Sequence, residues 1–420
     1  MTNDETQPTD QPEYPLLEAP ADGVPPVIDT ERALTDAARA LADGHGPVAL
    51  DAERASGFRY GNRAYLVQIR RDGSGTHLID PIACPDLGPI QDVIGDVEWV
   101  LHAATQDLPC LAEVGLHPSK LFDTELGSRL AGLPRVGLAS VVEHYVGVTL
   151  AKEHSAVDWS ERPLPQPWLS YAALDVEVLV EVRDRLAADL ESQGKADWAA
   201  QEFHALTSFT GPPLRQDPWR RTSGMHKIRN RRAIARVREL WQTRDIIAQH
   251  RDTSPGRVLP DALLVEIANG APTSAADLMA LPGASTRRGR PHPGLPRYQR
   301  DWLDAVRRVG AMNERDLPPA TLRSDAPPPQ RVWADRDPVA AARLTQVRED
   351  LAAFGEEHHV PVENILTPDY LRRMLWEPSN PLDAQTISRE LSELGAREWQ
   401  VDIVTPMIEK AVAEHPLTGE

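Results

Sequence analysis

The sequence predicts an α/β domain, built as a mixed sheet flanked by helices and followed by two small all-α domains. Strand-like and helix-like patterns alternate from about residue 26 to 205. Two proline-containing breaks, at 206–222 and 313–335, have the composition of linkers. The segments after them, 223–312 and 336–420, have helical patterns throughout. These observations divide the chain into three domains joined by two linkers.

The N-terminal residues 1–25 are acidic, rich in proline and without periodicity, which predicts a disordered tail. The short apolar stretch Val24–Ile28 precedes the first predicted helix. Asp29 or Thr30 can cap that helix, and we expect it to run through Leu41 and end at Gly44.

Three strands are predicted to form an antiparallel set: VALDAE at 48–53, RAYLVQIRR at 63–71 and THLIDP at 76–81. The turn sequence DGSG between the last two is typical of a hairpin. A further strand, VEWVLHAA at 97–104, follows a predicted helix at 86–94.

The rest of the first domain is predicted to be helical near 108–115, 120–131, 137–146 and 167–190. In the second domain, helices are predicted at 225–250, 260–269, 274–280 and 297–309. The third domain has a similar size and also has a helix opening with a Pro-Asp pair, so we consider the two helical domains possible copies of one module.

Charge and composition exclude several classes of protein. The chain has 45 basic and 63 acidic residues, a net charge of −18, which argues against nonspecific coating of nucleic acid but allows local contact. The sequence contains no run of about 18 apolar residues, so no membrane helix is expected. The acidic N-terminus is unlike a signal peptide. The two cysteines, Cys84 and Cys110, are too few for a disulfide framework or a four-cysteine zinc site, and a reducing cytoplasm is expected.

Two carboxylates follow directly from the first buried strand. Asp51 and Glu53 are two residues apart, so they project from the same face. Carboxylates held this close repel each other unless a cation is present, although a strand end in solvent would also accommodate them.

Other candidate residues lie later in the chain. Asp107 stands between a strand and a helix, while Tyr171 and Asp175 are four apart and share a helix face. Each residue could instead have an ordinary structural role: Asp107 as a charge at a helix N-terminus, Tyr171 as a packed aromatic ring and Asp175 as a surface acid.

The motifs LDAERASG, HAATQDL and YAALD, in this order, resemble the three motifs of the DEDD superfamily of 3′–5′ exonucleases. Tyr171, four residues before Asp175, matches the tyrosine branch, and Ser170 stands where the histidine branch would have its histidine. The segments YLVQI, THLIDP and FDTELGSRLAG are similar to the ribonuclease D family, a likeness that spans residues 26–205. Residues 225–310 resemble the helicase-and-ribonuclease-D C-terminal (HRDC) domain, and the last domain is expected to be HRDC-like.

The resemblance implies a ribonuclease H-like fold and a metal-dependent 3′–5′ exoribonuclease that releases nucleoside 5′-monophosphates by two-metal hydrolysis. It implies RNA with a free 3′ end as partner, such as transfer RNA precursors, and we expect a monomer without membrane association. By resemblance, two Mg²⁺ or Mn²⁺ ions are held by Asp51, Glu53, Asp107 and Asp175, and Tyr171 orients the attacking water.

A basic stretch after the first domain is predicted to contact nucleic acid, because an acidic protein needs local positive charge to bind a polyanion. It also contains a tryptophan that could stack on an unpaired base. The predicted contacts are Trp219, Arg220, Arg221, Lys227, Arg229, Arg231 and Arg232. The alternative is an ordinary charged helix face next to a basic linker.

Two other functions stay open at this point. A DNA exonuclease would use the same chemistry on phosphate, because recognition of the 2′-hydroxyl separates the two substrates and cannot be located in the sequence. A nucleic-acid-binding scaffold without turnover would be favoured by the loss of an acid, and none of the four acids is missing.

Overall fold

A computed structural model describes residues 14–151, 157–213, 215–284, 291–322 and 325–416. Residues 1–13 of the expected disordered tail therefore lie outside the described residues. None of the helices within these ranges is both long enough and apolar enough to cross a membrane.

A mixed sheet of six strands organises the first domain, with strand order β2-β5-β4-β3-β6-β7. In chain order the strands are β1 Leu16–Leu17, β2 Val27–Ile28, β3 His45–Arg54, β4 Ala64–Asp72, β5 Gly75–Ile79, β6 Glu98–Leu101, β7 Lys120–Asp123 and β8 Thr149–Leu150. Strands β3, β4 and β5 pair antiparallel, as the hairpin pattern predicts, and the other pairs of this sheet are parallel.

The described part of this domain has eight α-helices: α1 Glu31–Asp43, α2 Gly88–Ile94, α3 Leu108–Glu113, α4 Thr124–Leu130, α5 Leu138–Tyr145, α6 Gln166–Glu177, α7 Leu179–Ser192 and α8 Ala196–Leu206. Thr30 caps α1, its hydroxyl accepting a hydrogen bond from the Ala33 N–H at 3.3 Å. The predicted α/β class, with helices on both faces of a mixed sheet, is confirmed.

The alternation of β3 directs two different sets of side chains to the two faces of the sheet. Val48, Leu50 and Ala52 pack into a core with residues of α1 and α2. Ala49 packs on the opposite face with residues of α6 and α7. Because Asp51 continues the Ala49 series, its carboxylate lies on the face that α6 covers.

Two helix predictions in this domain are wrong. Residues 120–123 form strand β7, because Leu121 and Phe122 pair with Trp99 and Val100 of β6. This pairing is a tertiary contact that local sequence does not reveal. The predicted long helix over 167–190 is divided at Val178 into α6 and α7.

The expectation of a disordered tail is wrong for its described part. Leu16 and Leu17 of β1 pair in parallel with β8, and Leu17 packs on a neighbouring apolar core. The Ala21 N–H donates a hydrogen bond to Glu177 at 3.2 Å. Two adjacent leucines thus anchor a segment whose composition alone favours disorder.

The second domain is helical and docks on the first through polar contacts. Its helices are α9 Arg231–His250, α10 Pro255–Val258, α11 Asp261–Gly270, α12 Ala275–Met279, α13 Gly294–Arg297 and α14 Gln299–Gly310. The Ser254 N–H donates to the Phe58 carbonyl at 3.0 Å, and the Tyr60 hydroxyl donates to Asp245 at 3.2 Å. The loop after β3 therefore forms contacts between the first and second domains.

The third domain shares an apolar core with the first. Its helices are α15 Trp333–Arg336, α16 Pro338–His358, α17 Val362–Ile365, α18 Pro368–Trp376, α19 Ala384–Leu394 and α20 Glu398–Glu414. Phe122 and Phe203 of the first domain belong to one buried cluster with Leu344 and Trp399. Lys195 fastens the same boundary, donating to the Leu130 carbonyl at 2.7 Å and the His358 carbonyl at 2.6 Å.

Candidate active site

Three of the predicted acids lie together at one end of the sheet. Asp51 and Glu53 come from β3, and Asp175 comes from α6, which crosses that strand. One carboxylate oxygen of each lies within 4.8 Å of the others. The spacing of two along a strand and the overlying helix bring these charges together.

Asp107 lies beside this group and not within it. It stands directly before α3, and its Oδ1 atom is 3.1 Å from Nη1 of Arg54. Asp107 lines the same cavity of about 480 Å³ as Asp51, Glu53 and Asp175. We refer to these four residues as the acid cluster.

Burial raises the pKa of every member of the acid cluster, and the charges of neighbouring members further raise the pKa of Glu53, Asp107 and Asp175. Burial raises the pKa of Glu53 to about 10, with further contributions from Asp51, Asp175 and Asp107. Burial also raises the pKa of Asp51, and it combines with the charge of Asp51 to raise the pKa of Asp107 and Asp175 well above their usual range. The site therefore disfavours four bare negative charges, and a bound cation would relieve this cost.

The acid cluster fits hard divalent cations. All of its donors are carboxylate oxygens, the ligands that Mg²⁺ and Mn²⁺ prefer. The Oδ1 atom of Asp107 is buried and accepts no hydrogen bond within the described part of the chain, although it faces Arg54. Ions held by the acid cluster would supply an activated water and charge stabilisation at phosphate.

Tyr171 lies over the acid cluster, one helical turn before Asp175. Its hydroxyl hydrogen bonds with Asp175, and it lines the cavity. Burial, followed by the charges of Asp175, Glu53 and Asp51, raises the pKa of the Tyr171 phenol above its usual value. A neutral phenol is suited to orient a water and poorly suited to remove its proton.

Asp123 supports the segment that presents Asp107. Its carboxylate accepts hydrogen bonds from the N–H groups of Ala103 at 3.1 Å and Ala104 at 2.8 Å. It also caps α4, accepting from Glu125 at 2.9 Å and Leu126 at 3.1 Å. Ala103 has a φ of 58°, a left-handed conformation that these bonds help to hold.

His102 also lines the cavity, and it is a neutral residue there. Burial lowers its pKa to about 4. Its Nδ1 atom lies 2.9 Å from the hydroxyl of Thr124. His102 therefore adds no positive charge to the site near pH 7.

The segment that leads into α6 is fastened to the sheet by Arg162. Its Nε and Nη2 atoms donate to the two carboxylate oxygens of Asp80 at 2.7 and 2.8 Å, and Nη2 also donates to the Tyr65 carbonyl at 2.8 Å. Burial raises the pKa of Asp80, but the bonds from Arg162 and from the Ile82 N–H outweigh it and the pKa is lowered. This contact fixes the approach to the helix that carries Tyr171 and Asp175.

The prediction that Trp219 stacks on an unpaired base is wrong. Its ring is 3% exposed and belongs to the core of the second domain. The guanidinium of Arg220 lies over the ring, 4.3 Å from the centroid. Trp219 is an interior aromatic residue because the helical domain folds around it.

Three of the predicted RNA-contacting arginines bind the chain itself. Arg220 donates to the Pro319 carbonyl at 2.9 Å, and Arg231 donates to Leu317 and Pro318. Arg232 donates to the carbonyls at 309 and 312. These bonds fasten the segment after α14, a role that the basic pattern did not reveal. Contact of these arginines with RNA stays a prediction.

The remaining predicted contacts, Arg221, Lys227 and Arg229, are exposed. They lie between the first domain and α9, so their charges are available at the surface there. Binding of RNA by these three residues also stays a prediction.

Sequence reasoning missed Arg54, Asp123 and Arg162. Asp123 could have been found as a helix cap, because it directly precedes Thr-Glu-Leu in a helical pattern. The partners of Arg54 and Arg162 are about 50 and 80 residues away in the chain, and nothing in the local pattern identifies them.

Three family models match the chain. A 3′–5′ exonuclease model matches residues 25–191, an HRDC model matches 233–291, and a model of the 3′ to 5′ exonuclease C-terminal domain matches 326–412. The matches follow the order of the three structural domains.

Several curated proteins and solved structures are similar to the chain. Ribonuclease D of Gluconacetobacter diazotrophicus is 30% identical over 345 residues, covering 80% of this chain and 82% of the relative. A crystal structure of a Bifidobacterium adolescentis protein is 40% identical with a TM-score of 0.85, covering 96% of this chain and all of that chain. Escherichia coli RNase D is 24% identical with a TM-score of 0.66, covering 93% of this chain and 99% of that chain, a likeness of fold.

Proposed function

The chain belongs to the ribonuclease D family and is a 3′–5′ exoribonuclease, and we propose that it trims the 3′ ends of structured RNA such as transfer RNA precursors. We further propose that two divalent ions, Mg²⁺ or Mn²⁺, are held by Asp51, Glu53, Asp107 and Asp175. The observation that supports this assignment most strongly is the approach of three partly buried carboxylates within 4.8 Å, which costs free energy unless cations are bound.

The residues of the site have separate roles in the proposed reaction. The acid cluster holds the ions, which would activate a water and stabilise the departing 3′ oxygen. The Tyr171 hydroxyl, fixed by Asp175, orients that water toward the terminal phosphorus. The bond between phosphorus and the 3′ oxygen of the preceding nucleotide breaks, releasing a nucleoside 5′-monophosphate and leaving a new 3′-hydroxyl on the RNA.

We propose that the rest of the RNA contacts the exposed cations Arg221, Lys227 and Arg229 between the first two domains. We also propose that the protein acts as a monomer in the cytoplasm. Both cysteines, Cys84 and Cys110, are buried and unpaired, which supports a reducing compartment.

The substrate is tested with a 5′-labelled transfer RNA precursor that has a 3′ extension, beside matched single-stranded RNA and DNA of the extension sequence. With Mn²⁺ we expect a ladder that shortens from the 3′ end of both RNAs and stops near the folded body of the precursor. EDTA should abolish it. Intact precursor beside degraded single-stranded RNA would contradict the proposed substrate, and equal shortening of DNA would contradict selectivity for ribose.

A further inference from the structure

Arg54 directly follows the second acid of the cluster, and an irregularity in the sheet accompanies it. In β3, Glu53 pairs with Leu66 of β4, whereas the next residue, Arg54, pairs with Ala64, so Tyr65 has no opposite residue. The additional residue therefore lies on β4, opposite the end of β3. Arg54 lines the same cavity as Asp51 and Glu53.

The guanidinium of Arg54 is held at the edge of the acid cluster. It lies 3.1 Å from Asp107 and donates a hydrogen bond to the Gln106 carbonyl. The side chain remains 25% exposed, so part of it faces the open cavity. A guanidinium has five N–H donors, so these two contacts leave donors for a further acceptor.

The charge balance of the cavity suits Arg54 to bind the substrate phosphate. Among the described residues that line it, Arg54 is the only arginine or lysine, and His102 is neutral. Four carboxylates and two divalent ions would balance, whereas the phosphodiester of an RNA end adds one negative charge. One arginine in the cavity compensates that charge, and guanidinium groups bind phosphate oxygens in bidentate geometry.

We propose that Arg54 is the phosphate receptor of the cavity: it pairs with Asp107 in the free protein and binds a phosphate oxygen of the 3′-terminal nucleotide in the complex. This inference rests on the proposed site and adds a substrate-contacting residue to the acid cluster and Tyr171. While RNA is absent, Arg54 competes with metal cations for Asp107.

The proposal is tested by calorimetry without turnover, using adenosine 5′-monophosphate as the probe in Mn²⁺ and adenosine as the ligand without phosphate. Arg54→Met should weaken binding of the monophosphate about tenfold or more, because hydrogen bonds to a charged group are lost. Binding of adenosine should not change. Arg54→Lys should retain part of the affinity for the monophosphate, because it keeps the charge.

A second titration measures Mn²⁺ alone. Arg54→Met should bind Mn²⁺ more tightly than the wild type by a few fold, because Asp107 no longer pairs with a cation. The matched control is Arg183→Met, since Arg183 is 28% exposed and paired with Glu98 at 2.7 Å but does not line the cavity. This control should bind all three ligands like the wild type.

Two results would overturn the proposal: unchanged affinity of Arg54→Met for the monophosphate, or equal losses for the monophosphate and adenosine, which would indicate a distorted cavity. Thermal unfolding of each variant shows whether it is folded. The outcome is separate from that of the proposed function. A wild type that leaves RNA intact, yet binds the monophosphate through Arg54, would contradict the RNA substrate and leave the phosphate receptor standing.

Discussion

At the residue scale, Asp123 supports the segment that presents Asp107. Its buried carboxylate accepts from four backbone N–H groups, two before α3 and two at the start of α4. Removing an acceptor leaves buried donors without a partner, which costs more than the bond itself contributes. Asp123 thus holds the segment before Asp107 and caps the neighbouring helix α4 with the same carboxylate.

Asp123→Ala should lower the free energy of unfolding by about 2–4 kcal/mol, as measured by urea denaturation. RNA shortening by the folded variant should also slow, because Asp107 loses its support. Asp383→Ala is the matched control, since Asp383 is an exposed cap of α19 that accepts from the Thr386 N–H at 2.9 Å. The control should lose less stability than Asp123→Ala and no activity, because its cap is exposed to solvent. Equal losses in the two variants would contradict the special role of Asp123.

Individual residues also show which features of the site can be predicted from the sequence. The alternation of β3 correctly places Asp51 and Glu53 on one face, because a period of two is a local property. The same rule would direct Arg54 to the other face, yet it lines the cavity and pairs with Asp107, a contact with a distant part of the chain that local sequence does not reveal. The burial of Trp219 could not be predicted, because an aromatic residue among arginines has the same local pattern whether it is buried or exposed.

At the element scale, helix α6 depends on the loop before it. Arg162 ties this loop to Asp80, which is 9% exposed, at the end of β5. The pKa of Asp80 is lowered in the folded protein. A lowered pKa means that the contact stabilises the fold above the unfolded value of about 3.9 and that this contribution is lost as the pH falls through the folded value.

Arg162→Met should therefore reduce the free energy of unfolding by about 2–3 kcal/mol at pH 7, since a buried carboxylate loses its partner. The difference from the wild type should shrink at acidic pH, where protonation of Asp80 removes the charge that the variant leaves without its partner. Urea denaturation at pH 7 and at pH 3.5 measures both values. Arg183→Met, which breaks the half-exposed pair with Glu98, should lose about 1 kcal/mol or less. A difference for Arg162→Met that does not depend on pH would contradict this assignment.

The two strands β7 and β1, which the sequence did not predict, share a physical cause. Strand β7 is formed by pairing with β6, and β1 by pairing with β8, which lies more than 130 residues later in the chain. Helix α1 was located from local signals, namely a cap at Asp29 or Thr30 and a sustained helical period, and the helical pattern predicted over 225–250 contains α9. Local patterns therefore identify helices well here, whereas short edge strands require the tertiary partner.

At the scale of the whole molecule, the two helical domains are attached in different ways. The second docks through hydrogen bonds between the loop at 57–63 and the region of Ser254. The third continues the apolar core of the first, with the rings of Trp198 and Trp399 stacked at 4.8 Å between centroids. Burial of apolar surface is the larger stabilising contribution, so the third domain is an integral part of the catalytic body.

A chain ending at residue 326 should be less stable and should aggregate, because the removal of the third domain exposes Phe122, Phe203 and Trp198. Thermal unfolding and the fluorescence of an apolar dye check this expectation. Tyr60→Phe is the comparison at the other interface: it removes the hydrogen bond to Asp245 and should change the unfolding temperature little. A truncated chain that stays monomeric, with an unchanged unfolding temperature, would show that the third domain is an independent appendage.

We propose that the acid cluster makes this chain a metal-dependent 3′–5′ exoribonuclease. The most direct test of this claim is a time course with 5′-labelled single-stranded RNA in Mn²⁺, using the wild type, Asp51→Asn and the exposed control Asp36→Asn. We expect the wild type and the control to give the same ladder from the 3′ end, while Asp51→Asn is slower by at least about 100-fold. Intact RNA with the wild type, or a ladder of normal speed with Asp51→Asn, would contradict the claim.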